Sequence, residues 1–338
     1  MILVWVKFLV CASIVVVSGT KLSKYGDALA EKTGLTRAWV GLLLLAAMTS
    51  MPELVTGVSA AALVKVPDLA IGVVLGSNLF NLLIVVVLDF LHRPGPFLGK
   101  ADSGNLLLAG LSALLIGLAG VGLLVGDWIP DLAVGWLSPF SLTLAVLYLL
   151  CLRWLFKAEQ NHGDLMASEP QALQYQHLSA RRTYLSFALA GLAIVGAGIW
   201  LASIGDEISE VTGWGSSFVG NLFLAIITSL PELAVCSAAL KLGATDMALA
   251  DLLGSNLFNT GIIIATADLF YWRGPILSSI SPGQLWAAGI AVLMTTFIAL
   301  GLLLHSKRKL LRVLDWESPL LLTLYILGAY ILFTTAPK

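Results

Sequence analysis

The chain has 338 residues, of which 58% are hydrophobic and only 12% charged, and its net charge is -1. Apolar runs recur almost from end to end, which excludes a soluble domain built on one core and indicates a polytopic membrane protein. The neutral balance names no acidic or basic partner, no nucleic-acid signature is present, and no obligate protein partner is evident.

A spanning helix needs about 20 predominantly apolar residues. Counting short or interrupted runs, the sequence predicts ten spans, near 2–18, 38–63, 69–91, 105–125, 137–155, 183–204, 216–240, 247–271, 284–305 and 318–335. Lys7 lies inside the first run and no small-x-small cleavage site follows, so a retained first helix is expected rather than a signal peptide. Cys11, Cys151 and Cys236 all fall inside spans and read as small apolar side chains. The longest polar segment, 156–182, is a linker between two membrane units, 1–155 and 183–338. Its His162 and His177 lack the spacing of metal ligands.

Ten spans place both termini on one side, so each loop can be assigned by parity. One side collects Lys21, Lys24, Lys32, Arg37, Arg93, Lys100, Arg153, Lys157, Arg181, Arg182, Lys241, Lys307, Arg308, Lys309 and Arg312. The other holds only Lys65, Arg273 and Lys338. The positive-inside rule makes the crowded side, linker included, cytoplasmic and both termini external, in a cell membrane crossed many times.

The chain is written twice. GDALAEKTG at 26–34 returns as GDEISEVTG at 205–213, and TSMPEL at 49–54 returns as TSLPEL at 228–233, both displaced by 179 residues. LGSNLFN at 75–81 returns unchanged at 253–259, displaced by 178, so one residue is lost in between. Each copy carries five spans. An odd number obliges the second copy to enter the membrane from the opposite side, the inverted-topology repeat of secondary transporters, whose binding sites lie near the midplane.

In TSMPEL and TSLPEL, Thr and Glu are four residues apart and Ser and Glu three, so their oxygens share one helix face. Pro52 and Pro231 break the helix and free carbonyls of the preceding turn, around Ala46–Met48 and Ala225–Ile227. A carboxylate at membrane depth costs several kcal/mol and marks function by default, and here Glu53 and Glu232 form a repeated pair. With Thr49, Ser50, Thr228 and Ser229 they offer the oxygen set of a hard cation. Back-bonding of the hydroxyls to their own helix competes with that reading.

In the second motif Ser77 and Asn81, like Ser255 and Asn259, are four apart on one face, with Asn78 and Asn256 ranked below them as ligands. Gly76 and Gly254 let another helix approach, although small-residue packing explains much of this motif. Asp251 lies on the Ser255–Asn259 stripe, and its counterpart is Val73. It is a third carboxylate that binds a cation, takes a proton or carries coupling, or else a neutral acid bonded between helices. Asp89 and Asp268 also repeat, but near helix ends where headgroup water is close, and stand outside the site.

On these motifs the chain resembles the cation/Ca²⁺ exchanger superfamily, and within it the prokaryotic sodium/calcium exchangers. The resemblance implies an all-α membrane fold of ten helices in two inverted five-helix repeats with broken second and seventh helices. It also implies sites for Na⁺ and Ca²⁺ at Ala46, Thr49, Ser50, Glu53, Ser77 and Asn81, then Ala225, Thr228, Ser229, Glu232, Ser255 and Asn259. The chain departs from the family's G-T-S-x-P-E and G-N-x-x-G-S-N-x-x-N/D patterns at Met48, Ile227, Val73, Ala250 and Asp251, and carries Asn259 where aspartate is frequent. The expected activity is Ca²⁺/Na⁺ antiport by alternating access, with no enzymatic chemistry and no cofactor. Ca²⁺/H⁺ or Na⁺/H⁺ antiport with Asp251 titrating stays open, as does, further off, a cation channel. An intramembrane hydrolase would need a histidine or metal ligand at depth, and His92 and His305 lie at helix ends.

Overall fold

In lipid every backbone N–H and C=O must be satisfied within the protein, so apolar runs of this length fold as helices. The computed structural model describes residues 2–33, 45–92, 96–100, 103–125, 135–161, 175, 178–304 and 314–335. His162, His177 and the start of the 38–63 span lie outside them.

The first helix, α1 (Ile2–Thr33), is followed by α2 (Ala46–Thr49), α3 (Met51–Ser59), α4 (Pro67–Leu91), α5 (Ser103–Val125) and α6 (Pro139–Asn161). Then come α7 (Ala180–Thr212), α8 (Ser216–Val219), α9 (Ala225–Thr228), α10 (Leu230–Lys241), α11 (Thr245–Phe258), α12 (Ile264–Phe270), α13 (Gly283–Leu304) and α14 (Glu317–Thr335). Among the described residues seven helices are long and apolar enough to cross a membrane. An eighth crossing is the pair Ser216–Thr228 and Leu230–Lys241, bent by 42°, and two shorter apolar helices are Met51–Val64 and Pro139–Leu155. The molecule is thus a multi-pass membrane protein whose described elements are all helices.

The predicted spans 2–18 and 183–204 are too short. GDALAEKT and GDEISEVT, read as loops, are instead the last turns of α1 and α7. Their Ala, Glu and Lys are compatible with helix, and α7 stops only at Gly213, whose φ of 71° is the left-handed cap glycine adopts without strain.

Burial sorts the helices into layers. The most apolar stretch of Pro67–Leu91 and that of Thr245–Phe270 are each 83% buried, against 39% for the corresponding parts of α1 and α7. The two helices carrying LGSNLFN therefore form the centre. α1 and α7 pack along each other at the periphery, turning Leu9, Val17, Leu185 and Leu192 outward. Lys7, inside an apolar run, is matched by Glu207 of α7 at 2.8 and 2.9 Å.

π-helical segments account for the changing repeat displacement. Between Glu53 and Asp68 the first copy has one residue more than the second has between Glu232 and Asp246, and Ala60–Val64 is π-helical. Between Asn259 and Asp268 the second copy has one residue more than the first has between Asn81 and Asp89, and Asn259–Ile263 is π-helical. A π turn accommodates one extra residue: Ala60–Val64 does so at the end of its helix, just before Lys65, and Asn259–Ile263 within a helix that continues into α12.

Candidate functional site

Both broken helices fail at the same place. Ser50 (φ -83°, ψ 8°) and Ser229 (φ -91°, ψ 6°) leave the helical region, and Pro52 and Pro231 are the second residues of α3 and α10. Proline has no N–H to donate, so Met48 and Ile227 lose their usual i+4 partner. The breaks face each other across the centre of the molecule.

The contacts between them are reciprocal. Ser229 donates to Glu53 Oε1 at 2.7 Å, and Ser50 donates to Glu232 Oε1 at 3.3 Å. Thr49 and Ser255 share a hydrogen bond at 3.3 Å, and so do Thr228 and Ser77. Ser77 is also 3.3 Å from Glu53 Oε1, so its single hydroxyl proton is divided between Glu53 and Thr228. Each copy thus supplies hydroxyls to the other copy's carboxylate. Every predicted site residue is buried, none more than 2% exposed.

Charge is left unbalanced there. Oε2 of Glu53 and of Glu232 is buried with no hydrogen-bond partner, and among the described residues no lysine or arginine pairs with either glutamate. A buried carboxylate lacking a counter-charge is costly by several kcal/mol, so a proton or a cation must share this space.

The carbonyls correct one expectation. Ala46 and Ala225 keep their helical bonds, accepting from the Ser50 and Ser229 N–H at 3.0 Å, and each also accepts the hydroxyl of Thr49 or Thr228 at 3.1 or 3.2 Å. The proline removes the i+4 N–H of Met48 and Ile227, and their carbonyls accept a backbone N–H at the helix cap in its place. Back-bonding and convergence on the site, set against each other above, therefore coexist at both threonines.

A side chain at Gly76 would overlap the backbone of Asn221, so the absence of a Cβ brings α4 against the upper half of the second broken helix and places Ser77 beside Thr228. Asn78 and Asn256 do not line up with Ser77 and Ser255. They take the amide nitrogens of Asn259 and Asn81, at 3.3 and 3.0 Å. Asp251, 1% exposed, accepts from the Cys236 thiol at 3.4 Å. Cys236 therefore holds a polar partner beside the Glu232 turn, and is more than an apolar filler. Its counterpart is Gly57, just as that of Asp251 is Val73.

Asp89 and Asp268 also depart from expectation, being buried rather than facing headgroup water. Asp89 Oδ2 accepts from Asp315 N at 2.6 Å and Ser318 Oγ at 2.7 Å; Asp268 accepts from Ile276 N at 2.6 Å and Ser138 N at 2.7 Å. Backbone donors left over at helix starts hold these carboxylates. A sequence signal existed in Trp136-Leu137-Ser138-Pro139 and Trp316-Glu317-Ser318-Pro319, a further repeated block.

A multi-pass helical protein with two buried, mutually hydroxyl-bonded carboxylates at paired helix breaks belongs to the class that handles cations within the membrane. The family model described as sodium/calcium exchanger protein matches residues 3–157 and 182–334, and the chain belongs to that family. It is 28% identical over 263 residues to the inner membrane protein YrbG of Escherichia coli (strain K12), covering 76% of each chain. Its fold is similar to that of the sodium-calcium exchanger NCX_Mj soaked with 100 mM Na⁺ and 10 mM Sr²⁺, at a TM-score of 0.62 and 22% identity, covering 98% of this chain and 99% of that one. It is also similar to the H⁺/Ca²⁺ exchanger CAX, at a TM-score of 0.71 and 16% identity, covering 98% of this chain and 85% of that one.

Proposed function

We propose that the chain is a secondary antiporter exchanging Ca²⁺ for Na⁺ by alternating access, with the transported ions as its only ligands. The observation that carries this is the Glu53–Glu232 pair, buried, without a basic partner among the described residues and bonded crosswise by the other copy's serines. Thr49, Ser50, Ser77, Asn81, Thr228, Ser229, Ser255 and Asn259 complete the oxygen set, with Asp251 beside it. A cation neutralises the carboxylates and makes reorientation of the loaded site feasible; the empty, doubly charged site is too costly to reorient. Exchange follows from that restriction.

The ten helices are read as two inverted five-helix units, 1–155 and 183–338, joined by the cytoplasmic linker 156–182 with both termini outside. The two separate segments matched by the family model support this division. Na⁺ is the coupling ion of this reading, and H⁺ its rival, favoured by the fold similarity to an H⁺/Ca²⁺ exchanger and by the third carboxylate, Asp251.

Proteoliposomes loaded with Na⁺, K⁺ or a pH gradient, each imposed alone, test both. Ca²⁺ uptake is expected with an outward Na⁺ gradient and is expected to vanish in Glu53→Gln and in Glu232→Gln. Uptake by either variant at the unmodified rate sinks the site; uptake driven by pH in sodium-free medium replaces Na⁺ with H⁺.

A further inference from the structure

The four asparagines of the two LGSNLFN copies meet at the centre, and the direction of each amide there is dictated by chemistry. The backbone carbonyl of Asn78 can only accept, and Asn256 Nδ2 donates to it at 3.3 Å. Asn256 must then present its Oδ1 to Asn81, whose Nδ2 donates to it at 3.0 Å. Asn81 is thereby turned with its Oδ1 on the opposite side, where it is buried and has no hydrogen-bond partner.

A second chain runs the other way. The carbonyl of Asn256 accepts the Thr260 hydroxyl at 2.9 Å, so the Thr260 oxygen has no proton left for Asn78 and instead accepts from Asn78 Nδ2 at 2.9 Å. Asn78 presents its Oδ1 to Asn259, which donates Nδ2 at 3.3 Å and keeps its own Oδ1 buried without a partner. Thr260 lies in the π-helical segment; its neighbour Asn259 corresponds to Asn81, which leucine follows.

We infer that Asn78, Asn256 and Thr260 are positioning residues that fix the side-chain amides of Asn259 and Asn81 so that each turns its carbonyl oxygen to the transported cation. Each copy orients the other copy's ligand, and both chains start from a backbone carbonyl that cannot reverse its polarity. A cation requires oxygen, and an amide rotated by half a turn would offer it an NH₂ group instead. The inference rests on the reading of Asn81 and Asn259 as ligands.

The test is a double-mutant comparison of the half-saturating Ca²⁺ concentration for uptake into proteoliposomes. An aspartate at position 81 presents oxygen whichever way it turns, so it needs no orienting partner. Asn256→Ala is expected to raise half-saturation about tenfold in the unmodified chain and less than about twofold in an Asn81→Asp background. Equal losses in both backgrounds would overturn the inference. Thr260→Val, which keeps the shape but loses the hydroxyl, is expected to raise half-saturation several-fold, with Thr260→Ser close to the unmodified chain. Equal effects of the two would overturn the Thr260 link even if Asn256→Ala failed to fold. If Asn81→Ala leaves half-saturation unchanged, Asn81 is not a ligand, and the parent reading fails first.

Discussion

A glutamate at membrane depth is stable only when something shares its charge, and here the described residues supply hydroxyls but no cationic side chain. Ser229 and Ser77 at Glu53, and Ser50 at Glu232, are neutral donors, enough to orient the carboxylates and too weak to neutralise them. Their identity was legible in the sequence, because Thr, Ser, Pro and Glu repeat at fixed spacing. Their partners were not, since spacing within a helix says which oxygens share a face but not which helix that face meets. Asp251 shows the same limit: its place on the Ser255 stripe was readable, while its bond to Cys236 depends on how α10 and α11 pack. Two unit charges separated by roughly twice a contact distance still interact by about 2 kcal/mol at an effective dielectric constant near 20, and Asp251 joins the Glu232 helix through Cys236. Asp251→Asn is therefore expected to raise half-saturating Ca²⁺ about tenfold or more while the protein stays folded. A change below about twofold, measured by uptake against Ca²⁺ concentration, would place Asp251 outside the ion's reach.

Secondary-structure elements here are shaped by single residues gained or lost. The fall of the repeat displacement from 179 to 178 is a one-residue difference in length, and the longer copy is π-helical over Ala60–Val64, where the extra residue is taken up. The later recovery at Asp268 is taken up in the same way at Asn259–Ile263, where Gly261 is needed because a Cβ would overlap the ring of Tyr148. Periodicity could not reveal this, because a π turn keeps the apolar pattern while rotating everything after it. The rotation matters at Asp268, which must reach both Ser138 at the start of α6 and the Ile276 N–H. Losing that carboxylate leaves two buried N–H groups without acceptors, at about 1–3 kcal/mol each. Asp268→Ala is accordingly expected to lower the Tm of the detergent-solubilised protein by several degrees, with half-saturating Ca²⁺ unchanged in the protein that remains folded. A full Tm with impaired Ca²⁺ affinity would move Asp268 from the scaffold to the ion path.

Across the whole molecule, parity and the doubled sequence made the paired halves legible, but not the layering, because α1 and α4 are both apolar nearly all round. The structure separates them: α4 is enclosed, whereas α1 and α7 lie together at the periphery with their largest contact being each other. One end of that pair is tied by Lys7 and Glu207, a two-pronged contact at 2.8 and 2.9 Å whose repeat counterparts, Ser186 and Ala28, cannot form it. An ion pair half out of water, at the edge of an apolar layer, holds better than a fully exposed one because screening is weaker there. Alternating access requires some body to move past the central helices, and α1 with α7 is the pair with the most extensive mutual packing, each well under half buried. If the pair moves as one body, fixing its members to each other costs nothing in exchange. Bridging Lys7→Cys and Glu207→Cys with a short bifunctional thiol reagent is therefore expected to leave Na⁺-driven Ca²⁺ uptake intact, with cross-linking verified by mobility on a reducing and a non-reducing gel. Uptake that stops on bridging and returns on reduction would mean that the two helices slide against each other, and that the ion pair must break in every cycle.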